Sequence, residues 1–252
     1  MRFAHDTGLI FWSQLRTNLR NPMWVIIGLS QPVLYLVLFG PLINGLGPAL
    51  GDVDSWKILT PALVIQTGLM GSLYAGFNII SELRAGVVER QRVTPADRGA
   101  LLLGRVLKDM VVLIVQALVL VGVAVLAFGL RPDPTGLVLS VLLIAVMAAG
   151  LAAASYALGL WARNEGTLAS VLNSVTLPVM LLSGILLPMA VGPTWLRNIA
   201  KANPFSHTVD AARALFRGDF GSADVYLGTG ITVVVALVLM VIGARSFARE
   251  NA

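Results

Sequence analysis

The chain has 252 residues, of which 57% are hydrophobic and only 12% charged, with a formal net charge of +5 and a mean hydropathy of +0.83. So apolar a composition excludes an ordinary soluble domain, and the absence of Cys excludes disulfides, thiolate metal sites and cysteine nucleophiles. The positive balance does not point to nucleic acid: no basic surface interleaved with aromatics occurs, and Arg and Lys beside membrane spans ordinarily fix orientation.

Six stretches carry no charge: 21–51, 58–81, 110–130, 134–162, 166–196 and 225–244. About 20 helical residues cross the roughly 30 Å hydrocarbon layer of a bilayer, and each stretch is long enough. In chain order, residues 5–20 read as an amphipathic helix with Trp12, Leu15 and Leu19 on one face, expected to lie in the membrane interface. Its apolar run is too short and interrupted for a cleavable signal. Asn21-Pro22 breaks it, and span one follows at about 23–43 with a kink expected at Pro32. Span two is expected at about 58–80. A charged segment follows, and then span three at about 106–128. RPDPTG makes a tight turn into span four, about 137–160, whose AAGLAAASYALG run is dense in the small residues that let helix backbones approach. Span five is expected at about 167–187. Two short helices fill about 193–216, the second capped by Asn203 with Pro204 at its first position, and span six covers about 226–244. The fold class is all-α and polytopic, with residues 1–252 read as one transmembrane domain.

With six spans both termini share one side. Twelve of the 18 basic residues then fall in 1–20, 82–109, 162–165 and 245–252, which places that side in the cytoplasm.

Enzymatic motifs are missing. Lys57, Lys108 and Lys201 follow Trp, Leu and Ala, so no Gly-Lys pair can begin a phosphate loop. His5 and His207 fall on opposite sides of the membrane in this topology. No catalytic or metal-binding residue is expected. Ion-coupled transporters keep ionisable groups deep in spans, and none lies at mid-depth here. Asp109 comes closest, one helical turn after Arg105. The two residues form either a local ion pair or a latch between span three and the preceding segment. Gln66, Gln116 and Asn173 are the mid-span polar residues, suited to interhelical hydrogen bonds or to lining a substrate path. Leu182 and Leu186 join Gln66 and Asn173 as candidate path residues.

The segment after span two holds Glu82, Arg84, Gly86, Glu89, Arg90, Arg92, Thr94, Pro95, Asp97 and Arg98. It predicts a short charged helix ended at Thr94-Pro95, since a residue before proline is disfavoured in helix. Charge alone leaves two accounts open, a solvated orientation-setting loop and a dock for a soluble partner.

The pattern Glu82-x3-Gly86-x2-Glu89-x4-Thr94-Pro95-x2-Arg98 resembles the coupling segment of ABC-2 type transporter permeases, as does Gly104-Arg105-x3-Asp109. So do Leu182-Ser183-Gly184, Pro188, Trp195-Leu196, Asn203-Pro204 and Asp210-Ala211-x-Arg213, which in that family end span five and form external re-entrant helices. The likeness covers almost the whole chain and is nearest the daunorubicin-resistance type. Val87 stands where many relatives have Thr, and Gln91-Arg92 where many have two Leu. The resemblance implies a homodimer driven by two separate ATP-binding subunits. Those subunits would bind ATP and Mg, and this chain would bind no cofactor. It further implies residence in the bacterial cytoplasmic membrane and export of a hydrophobic or amphipathic substrate such as a drug, antibiotic or lipid-like molecule. Two other classes stay open on the residues alone: an ion-coupled secondary transporter or channel, and an intramembrane enzyme or assembly protein.

Overall fold

Backbone amides and carbonyls in lipid must find partners within their own segment, so a chain this apolar and free of strand patterning can span only as helices. The computed structural model describes residues 2–20, 23–45, 55–92, 97–185 and 193–250. Among them run α1 (Arg2–Arg20), α2 (Met23–Gly45), α3 (Ser55–Arg84), α4 (Val87–Arg92), α5 (Arg98–Phe128), α6 (Pro134–Ala162), α7 (Glu165–Leu182), α8 (Thr194–Lys201), α9 (Pro204–Phe216) and α10 (Ala223–Glu250), with no strand.

Five helices are long and apolar enough to cross a membrane: α3, α5, α6, α7 and α10. In α2 the apolar stretch Ile26–Pro41 is shorter, and the helix runs on through Pro32 and Pro41. Helix ends differ from expectation where side chains cap them. α5 starts at Arg98, well before the predicted 106, because the Asp97 carboxylate accepts from the Gly99 and Ala100 amides at 2.7 and 3.3 Å. Gly104, Arg105 and Asp109 therefore sit on one continuous helix. α7 stops at Leu182, before the predicted 187: Ser183 N bonds Met180 O, and Gly184 turns the chain at φ 75.

α6 is the central element, packed against α3, α5, α9 and α10. Its small residues let the backbones meet. A Cβ on Gly159 would stand 2.5 Å from Gly76 O, and one on Gly76 would stand 2.5 Å from Ser155 O. Farther along, a Cβ on Gly150 would reach 2.7 Å from Ala236 Cα, and one on Gly243 2.6 Å from Ala153 O. The Ser155 hydroxyl bridges the first crossing, donating to Leu73 O and accepting from Gly76 N. The face of span four expected to pack on a neighbour thus packs on two, α3 and α10. α1 lies along the start of α5, where Gly104 lets Ile10 and Thr7 approach. α7 is different: Asn173, Val175, Leu177 and Leu181 are exposed along it, and Leu168 and Leu172 are its buried residues.

Gly159→Ala is expected to cost about 1–3 kcal/mol, because the added methyl meets backbone that cannot yield. Gly122→Ala, with nothing within 4 Å, should be neutral or stabilising by up to about 1 kcal/mol through helix propensity. Thermal unfolding of the two purified variants in one detergent checks the contrast.

Candidate functional site

The last turn of α3, the Ala85-Gly86 turn and α4 make one polar end of the bundle. Gly86 has φ 67, a conformation costly for other residues, and open space around it, so backbone geometry alone selects glycine there. Its amide closes on Leu83 O, and its carbonyl accepts from Arg90 N. α4 hangs from the bundle by Val88, 3% exposed, which packs in a cluster with Ile79, Leu101 and Leu102. Glu89 and Arg90 face out. Of the other residues predicted for coupling, Arg98 is exposed at the start of α5, and Thr94 and Pro95 lie outside the described residues.

The charged segment is divided between two helices. Glu82 and Arg84 belong to α3, and Gly86 separates them from α4. They also point to different neighbours. Arg84 reaches across to Glu165 at the start of α7, 2.7 Å away, in an exposed pair. Glu82 turns inward, accepting from Gln14 Nε2 of α1 at 2.8 Å and from the Arg105 guanidinium of α5 at 2.6 Å. Arg105 is 1% exposed and lies 5.6 Å over the Phe247 ring of α10. Four helices meet around one carboxylate and one guanidinium. The expected local partnership of Arg105 with Asp109 is replaced. Arg105 points back to Glu82, and the Asp109 carboxylate is held by Lys108 and by the Tyr156 hydroxyl of α6 at 2.6 Å. The ionic tie to the preceding segment therefore runs through Arg105, and Asp109 fastens α5 to α6. Gln14 and Tyr156 escaped the sequence reading, since nothing local marks a glutamine in an amphipathic helix or a tyrosine in a small-residue run.

At the opposite end of α3, α9 is wedged among α3, α6 and α10, and most of its side chains are buried. Asn203 caps it, accepting from Phe205 N at 3.1 Å, and its amide donates to Val179 O of α7 at 3.0 Å. Pro204 occupies the first position, where its missing N–H costs nothing. Arg213 donates to Gly184 O at 2.8 Å and Ile58 O at 3.3 Å, with Asp210 3.9 Å away. Burial pulls the Arg213 guanidinium down to about 10, still cationic at neutral pH, and pushes the Asp210 carboxyl up. Trp195 of α8 is exposed, and Pro188 lies outside the described residues.

The described candidate path residues lie in different surroundings. Gln66 is 1% exposed inside the α3 core, so it opens onto no surface of the single chain, whereas Asn173 is exposed on α7. Leu182 is half-buried at the end of α7, and Leu186 lies outside the described residues. Gln116 is buried beside Gly28 of α2.

A sequence profile described as ABC-2 type transporter matches residues 5–216. The chain is 26% identical over 245 residues to the daunorubicin resistance ABC transporter permease protein DrrB1 of Streptomyces coeruleorubidus, covering 96% of this chain and 85% of that protein. It is 25% identical over 200 residues to the ycf38 protein of Cyanophora paradoxa, provisionally named a transport permease, covering 78% of this chain and 69% of that one. The ycf38 protein of Pyropia yezoensis, named in the same way, is 25% identical over 234 residues, with 88% and 80% covered.

Glu82→Ala removes the carboxylate facing a buried guanidinium and is expected to cost about 3–5 kcal/mol. The double variant Glu82→Ala/Arg105→Met should regain most of that loss. A double-mutant cycle in denaturant or thermal unfolding measures the coupling; simple additivity would refute it.

Proposed function

Because this chain belongs to the ABC-2 type transporter family, we propose that its polar α3–α4 end receives the motion of a separate ATP-hydrolysing subunit and passes it into the membrane bundle. The chain is a membrane permease subunit of an ABC transporter. The remaining detail is our reading. Two copies form the membrane unit, each with six spans, α2 being the first. Two ATP-binding subunits that hold ATP and Mg dock beneath α4. Both termini face the cytoplasm of a bacterial cell, and α8 and α9 lie at the outer face as re-entrant helices.

The observation that carries this reading is the family match over residues 5–216, joined to the geometry of α4. α4 is a six-residue helix fixed by a glycine turn and a buried Val88, with Glu89 and Arg90 turned outward. Such an element is firm where it joins the bundle and charged where a soluble partner would touch it. The inward carboxylate of Glu82 supplies the next link, since a push on the end of α3 is felt by α1, α5 and α10 at once. Transport then needs two states of the membrane dimer that ATP in the partner biases differently. The family match supports this ATP-driven class over ion coupling.

We take the substrate to be hydrophobic or amphipathic: a drug, an antibiotic or a lipid-like molecule. The similarity to a daunorubicin resistance permease and the exposed apolar residues of α2 and α7 support that class. Asn173, on the exposed side of α7, remains a candidate path residue. Gln66 would serve only if the α3 core opened during the cycle.

Co-purification with an ATP-binding subunit is expected. Glu89→Lys should lower stimulated ATP hydrolysis roughly five-fold or more while leaving thermal stability unchanged, since the side chain is exposed. Unchanged stimulation would remove α4 from the coupling role. For topology, Asn198→Cys, exposed on α8, should react with an impermeant maleimide added outside intact cells. Ala200→Cys, 3% exposed on the same helix, should not. Labelling of Asn198→Cys only after permeabilisation would reverse the assignment.

A further inference from the structure

α1 uses one side to pack on α5, through Thr7 and Ile10, and through Gln14 it reaches Glu82. Among the described residues the opposite side is exposed. Along it lie Leu9, Trp12 and Leu19, exposed by 59, 62 and 69%, and between them Arg16 and Arg20, also exposed. At 100° per residue Leu9, Trp12, Arg16 and Arg20 share one strip, and no acidic residue occurs between Thr7 and Arg20. Exposed apolar residues do not end with the helix. Two residues later α2 begins, and its Met23, Ile26 and Ile27 are exposed as well. A water-soluble partner has no use for such residues beside a helix that enters the membrane. A leaflet has: Trp and Leu suit the headgroup–acyl boundary, and an arginine beside them reaches phosphate in planar, paired hydrogen bonds.

We infer that the outward strip of α1 is a binding surface for anionic phospholipid headgroups, with Arg16 and Arg20 as the selecting cations and Trp12 as the depth anchor. The proposal rests on membrane insertion of α2 and not on the reading of the α3–α4 end, so the two can fail separately. An arginine close to an anionic surface favours it about five-fold over a zwitterionic one. Two such residues predict enrichment on the order of twenty-fold.

The chain lacks Cys, so Ser13→Cys on the edge of this strip gives a unique attachment point for a bimane fluorophore in the full-length protein. The labelled protein is reconstituted in phosphatidylcholine vesicles containing a fixed fraction of brominated phosphatidylglycerol or of brominated phosphatidylcholine. Quenching by the brominated phosphatidylglycerol should exceed that by the brominated phosphatidylcholine at equal fraction. The preference should fall with salt and nearly vanish in Arg16→Gln/Arg20→Gln. Leu126→Cys, 89% exposed on α5, reports bulk lipid and should show no preference. Equal quenching by both lipids at Ser13→Cys would overturn headgroup selection. Quenching by aqueous iodide with none by either lipid would place the strip off the membrane and leave it to a soluble partner, which also overturns the proposal.

Discussion

Within lipid an apolar side chain gains little by leaving one hydrocarbon neighbour for another, so helices stay together where their backbones come close enough for dense contact and polar exchange. α6 meets that constraint twice. On one side Gly159 and Ser155 meet Gly76; on the other Gly150 and Ala153 meet Ala236 and Gly243. None of these glycines sits in an unusual conformation, so each is there for want of a side chain. α3 and α10 take their positions from this axis. α9 extends it, with Gly136 of α6 close to Leu215 O and Gly228 of α10 close to His207 O.

The polar groups follow a different logic. Charge is costly in the bundle, and at the α4 end the structure gathers it in two joined clusters: Gln14, Glu82 and Arg105, and then Lys108, Asp109 and Tyr156. Between the clusters lies less than one turn of α5. A buried ion pair adds little net stability against an apolar replacement, but losing one partner is expensive. Such a cluster therefore fixes which helices may be neighbours at the end where α4 projects. It also explains why two acidic residues seven apart, Glu82 and Glu89, do unlike things. The first is held inside by α5, and the second lies beyond the Gly86 turn.

Much of this was legible from residue patterns, and the failures have physical reasons. Charge-free runs gave the long helices, because a charge at mid-span would cost too much to keep. The small residues of 148–159 announced close approach, and Asn203-Pro204 announced the start of α9 through cap chemistry. The early start of α5 rests on a single carboxylate, Asp97, capping the Gly99 and Ala100 amides, which hydrophobic patterning does not register. The partner of Arg105 was missed because spacing along one helix favours Asp109, while the folded bundle offers Glu82 from another. Arg213 bonds to carbonyl oxygens at Ile58 and Gly184, and a main-chain acceptor leaves no trace in side-chain identity. Gln66 reads as a lining residue on polarity alone, and its burial within α3 is set by packing that polarity does not reveal.

α7 is exposed along its middle yet fastened at both extremities. Glu165 is gripped by Arg84, and Val179 O and Gly184 O by Asn203 and Arg213. The same two neighbours, α3 and the α9 region, thus act on its two ends, and Arg213 also grips the first turns of α3 at Ile58. Such a strut resists sliding along its axis far more than bowing sideways, and Pro178, which breaks its hydrogen-bond ladder near the centre of the exposed part, gives the bow a place to form.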